Sequence, residues 1–202
     1  IFQKQLREMS TTTNNYKLRE VEGDLFSAPN IYSLAHCVAA DFGMGAGIAV
    51  KFKQTYGQVD TLLAQGVQSG DVAVLKDNNR YIYYLVTKPQ SWSSPTYDSL
   101  RSSLTSMREH MRSNKVDKLA IPRIGCGIDG LEWDKVSAEL NQVFGAENLE
   151  IVVYNFDNVM NEEGGKSTEF TIESAISIRE IQTIAHVAML GSTNRVFDRS
   201  YA

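Results

Sequence analysis

Three stretches of this chain bear residues that could do chemistry together. The first, Pro122-Arg-Ile-Gly-Cys-Gly-Ile-Asp129, sets Gly125 and Gly127 just ahead of the Asp129 carboxylate. The second, Gly43-Met-Gly-Ala-Gly47, places three glycines in five residues. The third is Lys88, which ends the apolar run Arg80-Tyr-Ile-Tyr-Tyr-Leu-Val-Thr87 and directly precedes Pro89. Glycine lets backbone N–H groups approach an anion with no side chain in the way. Two such loops could wrap a diphosphate from both sides. Neither closes on the Gly-Lys-Ser/Thr of a phosphate-binding P-loop, and neither is the GxGxxG dinucleotide fingerprint. A lysine at a strand end is ordinarily a solvated side chain, but at the ligand-binding edge of a sheet it is less ordinary. Asp24, in Gly23-Asp-Leu-Phe26, is either a turn residue capping its own backbone or an acceptor for a ligand; from the motif alone the turn reading is favoured.

These residues need a scaffold that brings distant loops to one edge. Lys17–Glu22 alternates apolar and polar residues and predicts a strand. Tyr32–Val38 is apolar enough to be a strand buried on both faces. His36 inside it reads as a satisfied core residue rather than a catalyst. Ile48–Lys53 and Val59–Ala64 predict helices. Asp71–Lys76 and Arg80–Thr87 predict a hairpin turning at Asp77-Asn-Asn79. Ser94-Pro95 reads as the start of a helix. Its core stripe is Tyr97, Leu100, Leu104, Met107 and Met111, where the methionines are packing. Lys118–Ile121 predicts a buried strand, placing the first glycine pair at a strand-to-helix junction. Trp133, Val136, Leu140 and Val143 mark the helix beyond it, and Glu150–Phe156 the last strand. Alternating strands and helices with one hairpin predict a three-layer α/β domain on a mixed, mostly parallel sheet.

The 202 residues suit one domain with extensions: a lead-in over 1–16, the domain over 17–156, and a tail over 157–202 whose linker precedes a helix at 171–190. That helix reads as packed on the domain or partly disordered, in preference to a partner-binding element. A net charge of −4 excludes a global basic field for nucleic acid, though not a local patch. The two cysteines, Cys37 and Cys126, fit no metal spacing and read as buried or half-buried thiols in a reducing compartment. No apolar run approaches the roughly 18 residues of a membrane span, and no charged-then-apolar leader opens the chain. The expectation is a soluble, intracellular protein with no membrane partner, and nothing in the sequence demands more than a monomer.

Seven blocks then occur in order: GDLF at 23–26, LAHC at 34–37, MGAGIAVKFK at 44–53, GDVAVLK at 70–76, RYIYYLVTK at 80–88, PTY at 95–97 and PRIGCGIDGLEW at 122–133. Together they resemble the macrodomain family, in its branch of terminal ADP-ribose protein glycohydrolases, also called O-acyl-ADP-ribose deacylases. The resemblance runs from about Lys17 to Phe156, and Ala40-Asp-Phe-Gly43 departs from the family's usual wording. It implies an ADP-ribose cleft at the carboxyl edge of the sheet. Asp24 would accept from the adenine amino group, with Leu25 beside it. Met44, Gly45, Ala46, Gly47 and Ile48 would face Arg123, Ile124, Gly125, Cys126, Gly127 and Ile128 across the diphosphate and distal ribose, with Thr87 also in the binding set. Lys88 would attack the anomeric carbon to form a covalent lysyl–ADP-ribose, and Asp129 would move protons. The implied reaction needs no metal or cofactor. The implied ligands are ADP-ribose, O-acyl-ADP-ribose and mono- or poly-ADP-ribosylated proteins, with ADP-ribosylated nucleic acid a further substrate class. The implied location includes the nucleus. A binding-only reader of ADP-ribose is the alternative, since a fold does not fix a function; Lys88 and Asp129 favour the enzyme because a reader needs neither. A scaffold acting through the tail helix is a third, weaker reading.

Overall fold

The computed structural model describes residues 15–155. Most of the expected lead-in, and the tail with its linker and its helix at 171–190, lie outside them. The elements are β1 (Lys17–Glu22), β2 (Ser33–Ala39), α1 (Ile48–Tyr56), α2 (Val59–Leu63), β3 (Val72–Asp77), β4 (Arg80–Lys88), α3 (Tyr97–Ser113), β5 (Lys118–Ile121), α4 (Trp133–Phe144) and β6 (Glu150–Asn155). They form one six-stranded sheet in the order β1-β6-β5-β2-β4-β3. Only the β3–β4 pair is antiparallel. This is the expected hairpin, and Asn78 adopts a left-handed backbone (φ 52°) in its turn.

The strands explain the layers. Along β4, Tyr83 and Leu85 join one core with Leu100, Leu104 and Met107 of α3 and Val136 and Leu140 of α4. Ile82, Tyr84 and Val86 face the other way, into a second core with Phe52 of α1 and Leu62 of α2. A strand whose side chains are apolar on both faces belongs between two helical layers, which is the three-layer α/β arrangement. The stripe on α3 is buried as expected, with Tyr97 at its end only half-buried.

Two local expectations are corrected, and one is sharpened. The N-cap of α3 is Thr96, not Ser94. Its hydroxyl accepts from the Ser99 N–H at 3.0 Å while the Ser99 hydroxyl accepts from the Thr96 N–H at 3.0 Å, a reciprocal capping box. The glycine pair Gly125 and Gly127 lies at the expected strand-to-helix junction, in a loop that runs from Pro122 to Glu132 before α4 begins. His36 is fully buried as expected, but it is not satisfied: neither ring nitrogen reaches a good hydrogen-bond partner. Its ring instead stacks on Phe52, centroids 3.8 Å apart.

Candidate active site

The carboxyl ends of the parallel strands share one edge, and there the chain direction places every loop singled out above. β2 lies between β5 and β4 and leads onward to β3 and β4 on one side only. Such a switch in strand order opens a crevice at the carboxyl edge.

Lys88 is the last residue of β4. The register of β4 on β2 slips just before it: Val38 pairs with Val86 and Ala39 with Lys88, so Thr87 has no partner in β2. An extra residue of this kind bends a strand and re-aims its side chains. Lys88 Nζ donates to Asp129 Oδ1 at 2.6 Å, and the two side chains are only 12% and 15% exposed. The pair therefore spans the end of β2, joining β4 to the loop after β5.

α3 braces both partners. The Ser99 hydroxyl donates to the Thr87 carbonyl at 2.7 Å, and the Ser103 hydroxyl to the Val86 carbonyl at 2.9 Å. The Tyr97 hydroxyl accepts from the Glu132 N–H at 3.0 Å, at the far end of the Asp129 loop. The base of that loop is tied by Glu20 of β1. Its carboxylate accepts from Asn155 Nδ2, Arg123 Nη2 and Trp133 Nε1, each at 2.8 Å. The Asn155 and Arg123 donors, helped by Trp133, hold Glu20 well below the usual carboxylate range, at about 2.

The two glycine loops meet. Gly47 caps α1 with a left-handed backbone (φ 58°), and a Cβ there would come 3.1 Å from Ile128 Cδ1. Gly125 is also left-handed (φ 71°), and a Cβ would come 2.7 Å from Leu131 Cδ1, so any other residue would be strained there and would displace Leu131. Gly45, Gly47 and Gly127 are exposed, as are Ala46, Ile48 and Ile128, so backbone and side chain remain open to a ligand. Leu25, Met44 and Ile124 are buried and offer a ligand little side-chain surface. Phe42 and Met44 hold left-handed backbones (φ 47° and 45°) while their side chains anchor the loop in the core. Cys126, half-buried, donates its thiol to the Ile124 carbonyl. Thr87 is buried beside the Cys37 thiol, whose pKa burial pushes up to about 12 with a further rise from the Asp129 charge. Neither thiol is poised as a nucleophile, since burial raises Cys126 as well.

Arg123, expected among the ligand contacts, is committed to Glu20 and to the Trp133 ring, 5.6 Å from its centroid. Asp24 fulfils the turn reading, capping a short 3-10 turn by accepting from the Phe26 N–H at 3.0 Å. Its other oxygen takes Lys51 Nζ at 2.6 Å. The Lys51 bond, then the Phe26 bond, hold its carboxyl below the usual range.

Sequence reasoning assigned no role to Glu20, Lys51 or the Asp41–Ser91 clasp. Asp41 accepts from the Ser91 N–H at 2.8 Å, the Ser91 hydroxyl at 2.7 Å and the Gly43 N–H at 3.0 Å. Burial pushes the Asp41 carboxyl up, but these donors outweigh it and its pKa lies below the usual range. The clasp joins the glycine loop after β2 to the turn after Lys88. Its one signal in the sequence was the departure from family wording at Ala40–Gly43.

A mostly parallel three-layer sheet with two facing glycine loops at its carboxyl edge defines an α/β protein of the macrodomain class. The Macro domain family model matches residues 35–140, and the chain belongs to that family. It is 51% identical over 138 residues to the human protein named ADP-ribose glycohydrolase OARD1, an alignment covering 68% of this chain and 91% of that one. It is 27% identical over 148 residues to a DNA ADP-ribosyl glycohydrolase of Thermus aquaticus, covering 68% of this chain and 41% of that one. Among solved structures, the macrodomain of Thermus aquaticus DarG superposes with a TM-score of 0.62 at 27% identity, covering 69% of this chain and 98% of that one. Thermosipho africanus DarTG, solved in complex with ADP-ribose, shares the fold with a TM-score of 0.61 at 20% identity, covering 73% of this chain and 43% of that one.

Proposed function

We propose that the protein is an ADP-ribose-binding hydrolase that releases terminal ADP-ribose from glutamate or aspartate side chains and deacylates O-acetyl-ADP-ribose. The observation that carries this reading is the Lys88–Asp129 pair, 2.6 Å apart and largely shielded from solvent. The glycine loops supply backbone donors for the diphosphate, which explains how an acidic chain binds an anion. Asp24, held ionised by Lys51, can accept from an adenine amino group.

The chemistry follows from the pair. Asp129 takes a proton from the Lys88 ammonium, freeing the Nζ lone pair. Nζ attacks the anomeric carbon of the distal ribose; the C–N bond forms as the C–O bond to the acyl group breaks, and the electron pair leaves on the carboxylate. The proton passes from Asp129 to that leaving group. Water then attacks the same carbon, Asp129 accepts its proton, and the C–N pair returns to Lys88. The sum is one water consumed, one free carboxylic acid and one ADP-ribose released.

The test uses a protein ADP-ribosylated on glutamate. The wild type releases ADP-ribose. Lys88→Ala releases none and binds ADP-ribose in calorimetry. Asp129→Ala accumulates an enzyme carrying the mass of ADP-ribose. A Lys88→Ala variant that still turns over removes the lysine mechanism, and tight ADP-ribose binding by a wild type that yields no product leaves a reader.

A further inference from the structure

Trp92 is 80% exposed. A side chain of this size in water has no packing role, and tryptophan is enriched where surfaces meet partners. It is not on a loose loop. Ser93 N–H donates to the Gln90 carbonyl at 2.9 Å, closing a turn with Trp92 inside it. The residue before it, Ser91, is fixed to Asp41 through both its N–H and its hydroxyl, at 2.8 and 2.7 Å. A Cβ on Gly43 would come 2.7 Å from Ser91 Oγ, so the glycine loop and this turn are in close contact. The aromatic ring is thus presented on a pre-ordered support, which lowers the entropy lost on contact.

The turn begins directly after Lys88. Four residues of chain reach at most about 14 Å, so Trp92 stands within that span of the nucleophile's backbone. The loops that would hold ADP-ribose follow β1, β2 and β5, and the turn that bears Trp92 is clasped to the β2 loop at Asp41, so Trp92 borders those loops at their Lys88 end, where the group that carries the ADP-ribose would lie. An extended polypeptide advances about 3.3 Å per residue; Trp92 is therefore within roughly four residues of a modified side chain at Lys88. The stretch Pro89-Gln-Ser-Trp-Ser-Ser-Pro-Thr-Tyr97 carries no charge. Among the described residues, Lys53 donates to the Gly43 carbonyl behind the clasp at 2.9 Å, and Lys88 acts on Asp41 through its charge while being paired with Asp129. A single-stranded nucleic acid needs a basic groove beside its stacking platform, and a neutral turn whose neighbouring lysines, Lys53 and Lys88, are already bonded is not one.

We propose that Trp92 is a specificity-determining residue that docks the polypeptide flanking the ADP-ribosylated side chain, a role that rests on the hydrolase reading above. Two substrates of that reading separate the role from it: O-acetyl-ADP-ribose, which has no polypeptide, and a protein ADP-ribosylated on glutamate. Trp92→Ala is expected to lower kcat/KM on the protein substrate about tenfold, mainly through KM. Its turnover of O-acetyl-ADP-ribose and its affinity for ADP-ribose are expected to match the wild type, and Trp92→Phe to recover most of the loss. Equal loss on both substrates, no loss on either, or a loss confined to an ADP-ribosylated oligonucleotide overturns the assignment while leaving the hydrolase reading intact. A wild type inert on both substrates overturns the two together.

Discussion

At the scale of single residues, the Lys88–Asp129 contact could serve as a strut or as a path for a proton. Replacing either partner by alanine confounds the two, because it strands the other charge in a largely shielded site. Lys88→Arg separates them. Arginine keeps the cation and can reach a carboxylate, but its guanidinium stays protonated and is no nucleophile. The expected outcome is ADP-ribose affinity near that of the wild type with turnover reduced about a thousandfold or more, measured by calorimetry and by product release. Turnover within tenfold of the wild type rules out attack by the lysine amine. The candidate residues stand out in the sequence because their types are unusual in place: a lysine closing an apolar strand, and glycines crowded where strands end. Glu20 does not. It lies on the polar side of an alternating strand, and its partners Arg123, Trp133 and Asn155 are more than a hundred residues away. No local pattern encodes such a bond.

At the scale of elements, α3 does more than bury its stripe. Its first turn holds the strand end before Lys88 through Ser99 and the end of the Asp129 loop through Tyr97. Tyr97→Phe removes one hydrogen bond, from the Glu132 N–H, and leaves the ring in place. A single neutral bond is worth about 1 kcal/mol, so the melting midpoint should move by only a few degrees. Because the lost bond positions Asp129, kcat is expected to fall about tenfold with KM little changed; an unchanged kcat shows that the loop holds Asp129 without help from α3. The start of this helix also shows where sequence reading stops. Ser94, Pro95 and Thr96 each carry a helix-start signal, and the usual partner three residues on is Glu or Gln. Here Ser99 fills that place while also reaching Thr87, a double use that only the tertiary fold selects. The strands and core stripes were legible because periodicity reports burial directly. The Thr87 register slip was not, since it depends on pairing with β2.

For the whole molecule, the buried imidazole of His36 sets how the fold responds to acid. Burial drives its pKa from 6.5 to about 3, and its ring lies against Phe52 and edge-on to Tyr84. Between those two values the unfolded chain binds a proton that the folded chain does not. Unfolding therefore takes up a proton, and stability falls as pH falls through 6.5, by up to about 1.4 kcal/mol per pH unit. Glu20, Asp24, Asp41 and Glu150 have lowered pKa values, so their stabilisation is present above the usual carboxylate range and is lost only at more acid pH. The interval from pH 6.5 to 4.5 thus isolates the histidines; His110, also lowered by burial, contributes there and is common to both proteins in the comparison. Urea unfolding of the wild type is expected to lose about 3 kcal/mol from His36 alone between pH 8 and 4.5. His36→Leu removes that loss. At pH 8 it should be within about 1 kcal/mol of the wild type, because it also removes a buried ring nitrogen that lacks a partner. If the two proteins lose stability in parallel over this interval, His36 is protonated in the fold and some group outside the Phe52–Tyr84 cluster compensates its charge.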